Sequence, residues 1–86
     1  MYFCYILYSK SLDKFYVGSC SDLENRIRKH NLGHATFTST GIPWELKWSR
    51  SFETNSLALQ FEKSVKKKKS RIYIEKLIKE TWIEIH

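Results

Sequence analysis

Two tyrosines, an arginine and a histidine in the opening stretch, MYFCYILYSKSLDKFYVGSCSDLENRIRKH, carry side chains able to handle a phosphate. Tyr5 and Tyr16 each bring a phenol, and Arg26 brings a planar fork of donors that fits two phosphate oxygens at once. His30 follows Arg26 by one helical turn. Breaking a phosphate ester needs a nucleophile, a route for its proton, neutralisation of the charge that develops on phosphate, and commonly a metal ion. Taken alone, the stretch lacks a carboxylate able to hold that metal. Glu62 is the candidate, because it directly follows Phe61 in an apolar helical stripe and so should lie at the edge of the core; magnesium is typically held by one or two carboxylates. A tyrosine beside a cation has its pKa drawn down from about 10, which helps it pass a proton, although histidine is the more usual base.

Every one of these residues also has a plainer reading. Strand tyrosines commonly serve as amphipathic core or cross-strand partners. Arg26 can be a solvated helix residue, His30 can close the helix end, and Glu62 can pair with Lys63 or Lys66 at the surface with little energetic consequence. The run of four lysines at 66–69 reads either as a solvated helix terminus suited to the helix dipole or as a contact with nucleic acid. Cys4 reads as a small core residue.

The elements that must position these groups follow from patterning. Residues 2–8 form an aromatic and β-branched run too short for a stable helix, and residues 15–18 form a second. With the polar segment between them they predict a β-hairpin. Tyr5 and Tyr16 then share a face only if paired residue numbers sum to an odd value, as with Tyr8 opposite Phe15. Ser21-Asp22-Leu23-Glu24 has the form of a capping box, which predicts a helix starting at Ser21 with Leu23 and Ile27 buried and Arg26 and His30 beside that stripe. Gly33 predicts its end.

Residues 34–43 read as an exposed loop, and residues 44–52, WELKWSRSF, as a third strand burying Trp44, Leu46 and Trp48 on one face. Thr54, Asn55 or Ser56 can cap the next helix, whose stripe is Leu57, Ala58, Phe61 and Val65. Ser70 can cap a last helix carrying Ile74, Leu77 and Ile78, and TWIEIH either extends that helix or folds back through Trp82. The expected class is α+β, a three-stranded antiparallel sheet flanked by helices in the order β-β-α-β-α-α, with residues 1–86 forming a single domain.

Charge narrows the partners. Lysine and arginine number 15 against 9 acids, for a formal net charge of +6 and a pI near 9.4, a balance that favours an anionic partner and nucleic acid first. Neither a membrane-length apolar run nor a secretory signal is present, so a soluble cytoplasmic protein is expected. Two cysteines, Cys4 and Cys20, do not make a disulfide framework. His30 and His34 have i,i+4 spacing, but Gly33 falls between them and no cysteine pair lies nearby, which argues against structural zinc.

Order and spacing together resemble the GIY-YIG nuclease superfamily. The resemblance rests on two hairpin tyrosines, the second within Tyr16-Val17-Gly18, then Arg26, the RxxxH of Arg26 and His30, and the later helix glutamate Glu62. The ending segments GIPWELKWSRSF, ALQFEKSVKKKKSR and YIEKLI look like the small stand-alone, excinuclease C-like members. The resemblance implies a DNA endonuclease, a hydrolase using one Mg²⁺ or Mn²⁺ on Glu62, with Tyr5 as general base, Arg26 stabilising the developing charge, and Tyr16 and His30 orienting or relaying protons. It further implies a role in DNA repair or processing and a DNA partner, branched or damaged DNA included. Arg28, Lys29, Lys63, Lys66, Lys67, Lys68, Lys69 and Arg71 are the cations expected to contact it. Two positions depart from the family pattern: Phe3-Cys4-Tyr5 stands for Gly-Ile-Tyr, and no asparagine follows Asn55, which leaves Ser70 as a candidate substitute. The alternative is a non-catalytic nucleic-acid-binding module or accessory subunit of the same fold.

Overall fold

The computed structural model describes residues 1–33 and 39–85, the last five of these by backbone alone. Its elements are β1 (Tyr2–Ser9), β2 (Lys14–Cys20), α1 (Leu23–Asn31), a short 3-10 turn (Ser39–Gly41), β3 (Trp44–Phe52), α2 (Asn55–Lys68) and α3 (Arg71–Ile85). The three strands are antiparallel in the order β2-β1-β3, giving the α+β architecture that the patterning predicts.

Central placement makes β1 the spine of the molecule, since it is buried on both faces and so reads as a continuous apolar run. Cys4 and Ile6 face Val17, Trp48 and Val65, with Phe61 of α2 and Ile74, Leu77 and Ile78 of α3 packed around them. Tyr5 and Leu7 face the other way, toward Cys20 and Trp44, where Leu23 and Ile27 of α1 and Ile42 close the layer. Full burial of side chains such as Ile6 and Leu7 contributes about 1.5–3 kcal/mol each. Thus α1 covers one face of the sheet, while α2 and α3 cover the other.

Register in the hairpin is the one that the tyrosines require. Tyr8 pairs with Phe15, Leu7 with Tyr16 and Tyr5 with Gly18, so Tyr5 and Tyr16 lie on one face. Ser9, fully buried at the strand end, accepts the Leu12 amide at 3.2 Å and holds the turn. In that turn Asp13 has φ of 52°, a left-handed conformation that Asp tolerates better than most residues. Its carboxylate accepts from Tyr8 Oη at 2.5 Å and from Arg71 Nη2 at 2.7 Å, and Arg71 also meets Glu75 at 2.9 Å. The start of α3 is thereby clamped to the hairpin turn.

On β3 the structure overturns the expected alternation. Ile6 pairs with Trp48 and Leu7 with Leu46, which leaves Lys47 as an extra residue in a β-bulge. The inserted residue shifts the period by one, so Trp44 and Trp48 enter opposite cores instead of sharing a face. Leu46 remains 41% exposed.

The helices correct two further expectations and bear out a third. Asp22, not Ser21, is the N-cap of α1, accepting the Asn25 amide at 3.1 Å; a carboxylate there also complements the helix dipole. Thr54 caps α2, and Leu57 falls off its buried stripe, lying 46% exposed. Gly33, with φ of 79°, follows the end of α1 as expected. Ser70 accepts the Tyr73 amide at 3.2 Å, and the backbone of the final segment extends α3 through Ile85. The Trp82 side chain and residues 34–38, His34 among them, lie outside the described residues.

Deleting Lys47 tests the bulge. Regular pairing would turn Trp44 toward the α2 and α3 face and empty its place against Leu7, and a lost aromatic side chain typically costs about 3–5 kcal/mol. The expected result is a large drop in urea midpoint or failure to fold; an unchanged midpoint would show that the bulge is dispensable.

Candidate active site

The site is built where β1, β2 and α1 meet. A Cβ placed on Gly18 would lie 2.5 Å from Tyr5 Oη and 2.7 Å from Tyr5 Cζ, so the phenol of Tyr5 lies across the backbone of its strand partner. Only glycine leaves room for that crossing. The Tyr5 hydroxyl then meets His30 Nε2 at 3.1 Å, in a site where Tyr5 and His30 are each at most 2% exposed. Tyr16 packs beside both, its ring centroid 6.3 Å from Tyr5 and 4.9 Å from His30.

His30 reaches this position because α1 delivers it from its last turn, and that turn is fixed from outside. Asn31, the next residue, accepts the Trp44 amide on Oδ1 at 2.6 Å and donates from Nδ2 to the Trp44 carbonyl at 3.2 Å. The Trp44 ring packs edge-on against Tyr16, with centroids 6.2 Å apart. Neither Asn31 nor Trp44 stands out in the sequence as part of a site. Asn31 resembles any polar residue before a helix-ending glycine, and its paired bonds reach a strand that no local rule connects to it.

Burial sets the electrostatics. It pushes the Tyr5 phenol well above its ordinary pKa of 10, helped by neighbouring Tyr16 and opposed by the charge of Arg26. The expectation of a tyrosine made acidic by a nearby cation is therefore reversed: Arg26 acts in the expected direction, but desolvation is larger. Desolvation and Arg26 together hold His30 below its ordinary 6.5, so the imidazole is neutral at pH 7. Arg26 itself is exposed on α1, its charge felt by Tyr5, Cys20 and His30 alike.

Glu62 comes from α2, on the opposite side of the sheet. Its negative charge bears on both Cys4 and Tyr5, neighbours that point to opposite faces. Only 15% of its side chain is exposed, and Lys66 Nζ sits on Oε2 at 2.6 Å. A carboxylate already holding one cation at the margin of the core is chemically suited to hold a divalent one. Among the described residues no three of His, Cys, Asp and Glu gather into a cage, so a metal here would rest on one carboxylate and solvent.

The remaining candidates divide by location. Val17 is core, and Gly18 is the platform for Tyr5. Arg28 bonds Asn25 at 2.8 Å, while Lys29, Lys63, Lys67 and Lys69 are exposed. Lys68 lies over the Tyr73 ring at 5.6 Å. Arg71 is engaged with Asp13 and Glu75, and Ser70 serves as a helix cap. Phe3 and Cys4, which replace the glycine and isoleucine of the family motif, are packed as core on opposite faces.

With this geometry in place, comparison with known proteins is decisive. A family model described as the GIY-YIG catalytic domain matches residues 1–78. The chain belongs to the GIY-YIG family. Similar GIY-YIG relatives include the UPF0213 protein YsiG of Lactococcus lactis subsp. lactis strain IL1403, 39% identical over 96% of this chain and 85% of the relative. A UPF0213 protein of Lactococcus lactis subsp. cremoris strain SK11 is 33% identical over 96% of this chain and 90% of its own length. The solution NMR structure of the UPF0213 protein BH0048 from Bacillus halodurans is similar in fold, with a TM-score of 0.56 and 32% identity over 92% of this chain and 84% of that one. Membership places the chain in a nuclease-type family whose substrates are nucleic acids and whose members generally use a divalent metal. No helix of the described residues is long and apolar enough to cross a membrane.

Two outcomes test the packing of the GIY-YIG site. Gly18→Ala should cost about 1–3 kcal/mol by overpacking, read as a lower urea midpoint, and an unchanged midpoint would show that the Tyr5 ring has room to retreat. His30 is accommodated neutral, so the unfolded chain takes up its proton more readily than the folded one. Its contribution to stability is complete above pH 6.5 and is lost as the pH falls below that value toward the depressed folded pKa. The thermal midpoint should drop between pH 7 and pH 5, and His30→Gln should flatten the drop; parallel curves for both proteins would assign the acid sensitivity elsewhere.

Proposed function

We infer that this chain is a metal-dependent DNA endonuclease that hydrolyses phosphodiester bonds at the Tyr5, Tyr16, Arg26 and His30 cluster, with Glu62 contributed from α2 on the other side of the sheet. The observation that carries this reading is the buried Tyr5–His30 pair, in which a phenol that keeps its proton bonds an imidazole that is neutral. With the ring proton on Nδ1, Nε2 accepts from the tyrosine hydroxyl. As a water attacks phosphorus, Tyr5 Oη takes its proton and passes its own to His30 Nε2, so no free phenolate is needed in a site that disfavours one. The new P–O bond forms as the bond to the leaving oxygen breaks, and that oxygen takes its proton from solvent. Histidine is thus the proton's destination and Tyr5 the relay that touches water.

Arg26, exposed but electrically coupled to both, presents donors to the non-bridging phosphate oxygens as charge accumulates. Tyr16 packs against the imidazole and keeps its plane fixed. Glu62 is the residue that would hold a divalent metal, which when bound supplies Lewis-acid polarisation of the scissile phosphate. Lys66 must leave Glu62 for that to occur, and its exposure allows the movement. A role in DNA repair or processing, a preference for branched or damaged DNA, a cytoplasmic location and the organisation of residues 1–86 as a single domain belong to the same reading.

Cleavage of labelled flapped, nicked and duplex DNA with Mg²⁺ or Mn²⁺ tests it. Tyr5→Phe should lower kcat by about 10²–10⁴, as loss of a positioned proton carrier does, and Arg26→Ala by about 10²–10³. Glu62→Gln should weaken metal dependence and cutting together. The acid limb of kcat should lie below pH 6.5, set by His30. Cutting that persists unchanged in Tyr5→Phe and Glu62→Gln would sink the mechanism, whereas salt-sensitive binding without cutting on every substrate would favour a non-catalytic binding module.

A further inference from the structure

The counter-ion of Glu62 is set by its place on α2. On a helix the residues that face position 62 are 58, 59, 65 and 66, and three of these, Ala58, Leu59 and Val65, are apolar. Lys66 alone among them can answer the charge, and the glutamate precedes the lysine, which is the better order for an i,i+4 pair. The two meet at 2.6 Å across a difference in environment: the carboxylate side chain is only 15% exposed, whereas that of the lysine is 52% exposed. The carboxylate is therefore the fixed partner, and the ammonium is the one able to move. An ammonium that leaves Glu62 needs another anion. Lys66 lines a groove beside β2 together with Lys14, Lys69 and Arg71, and the acid of that groove, Asp13, is held by Arg71 at 2.7 Å. Departure into this surface would break the pair and gain only like-charged neighbours.

We propose that Lys66 is a transferable counter-ion, which stays on Glu62 in the free protein and passes to a phosphate of bound nucleic acid, so that metal loading of Glu62 is coupled to substrate binding. The inference rests on the nuclease reading above and adds to it a coupling between the two ligands. Two cations sharing one carboxylate repel each other, so Lys66 competes with a divalent ion for as long as it remains in place. A phosphate supplies the anion that the protein's own surface withholds. Linkage makes the effect reciprocal: nucleic acid that draws Lys66 away raises the metal affinity of Glu62, and metal that displaces Lys66 raises the affinity for nucleic acid by the same factor. Lys66 would thus hold Glu62 against metal until substrate arrives.

Mn²⁺ is the probe, its free concentration read from its EPR signal, and every protein carries Tyr5→Phe so that DNA is not consumed. Without DNA, adding Lys66→Gln should tighten Mn²⁺ binding at least about fivefold, the lower end of ordinary coupling between two sites. Lys66→Arg, which keeps a counter-ion in the same place, should bind Mn²⁺ as the parent does. Lys76→Gln, an equal loss of charge at an exposed position on α3, should also match the parent. Glu62→Gln should remove the Mn²⁺ site. With a labelled blunt duplex at constant ionic strength, fluorescence anisotropy should show Mn²⁺ raising the DNA affinity of the parent, relative to its effect on Lys66→Gln, by about the factor found without DNA. Equal Mn²⁺ affinity in the parent and Lys66→Gln, the same gain in Lys76→Gln, Mn²⁺ binding that survives Glu62→Gln, or a Mn²⁺ effect on DNA affinity that does not depend on Lys66 would overturn the proposal. Cutting by the chain with Tyr5 intact is scored separately: cutting without the coupling keeps the nuclease reading and removes this inference, and coupling without cutting does the reverse.

Discussion

The packing of Tyr5 across Gly18 is the constraint on which the rest of this structure depends. It needs an odd-sum register in the hairpin, a partner without a side chain, and a central strand whose alternate residues are buried in two different cores. Shifting the hairpin by one residue would turn Tyr16 away from Tyr5, and His30 would close over a different surface. The register, in turn, is pinned at the turn by Ser9 and by the bonds of Tyr8 and Arg71 to Asp13. Local turn chemistry therefore fixes a contact several residues away.

Placing the phenol in the interior changes what it can do. In water a tyrosine beside an arginine would be a modest acid; here desolvation outweighs the arginine and the phenol keeps its proton. Burial lowers the imidazole as it raises the phenol, so both partners are held neutral, which is a property of the fold and not of either residue type. Asn31 and Trp44 serve that pair by tying the end of α1 to the start of β3.

Much of this was legible in the sequence where local rules suffice. Alternation and turn polarity give the hairpin, the parity argument gives its register class, and the glycine at 33 gives the end of α1. Glu62 could be placed at the core margin from its position after Phe61, and it lies there. What could not be read was non-local or turned on one residue. A single inserted lysine at 47 splits two tryptophans between two cores, and no period-two reading anticipates an insertion. Asp22 displaces Ser21 as the cap because the two are adjacent and both are good cap residues, so the pattern fits either start. The direction of the Tyr5 shift needs the depth of burial, which is a property of three elements together.

The open flank of β2 has one more consequence. Among the described residues β2 pairs only with β1, so its outer row of amides and carbonyls is left unpaired, the kind of surface along which two sheets can zip together and aggregate. Lys14 begins that strand, and Lys66 and Lys69 at the end of α2 line the groove beside it. A second copy approaching edge to edge would bring the same lysines with it and be repelled, while a polyanion would be drawn in. One arrangement of charge thus opposes edge-to-edge pairing along β2 and favours the approach of a polyanion.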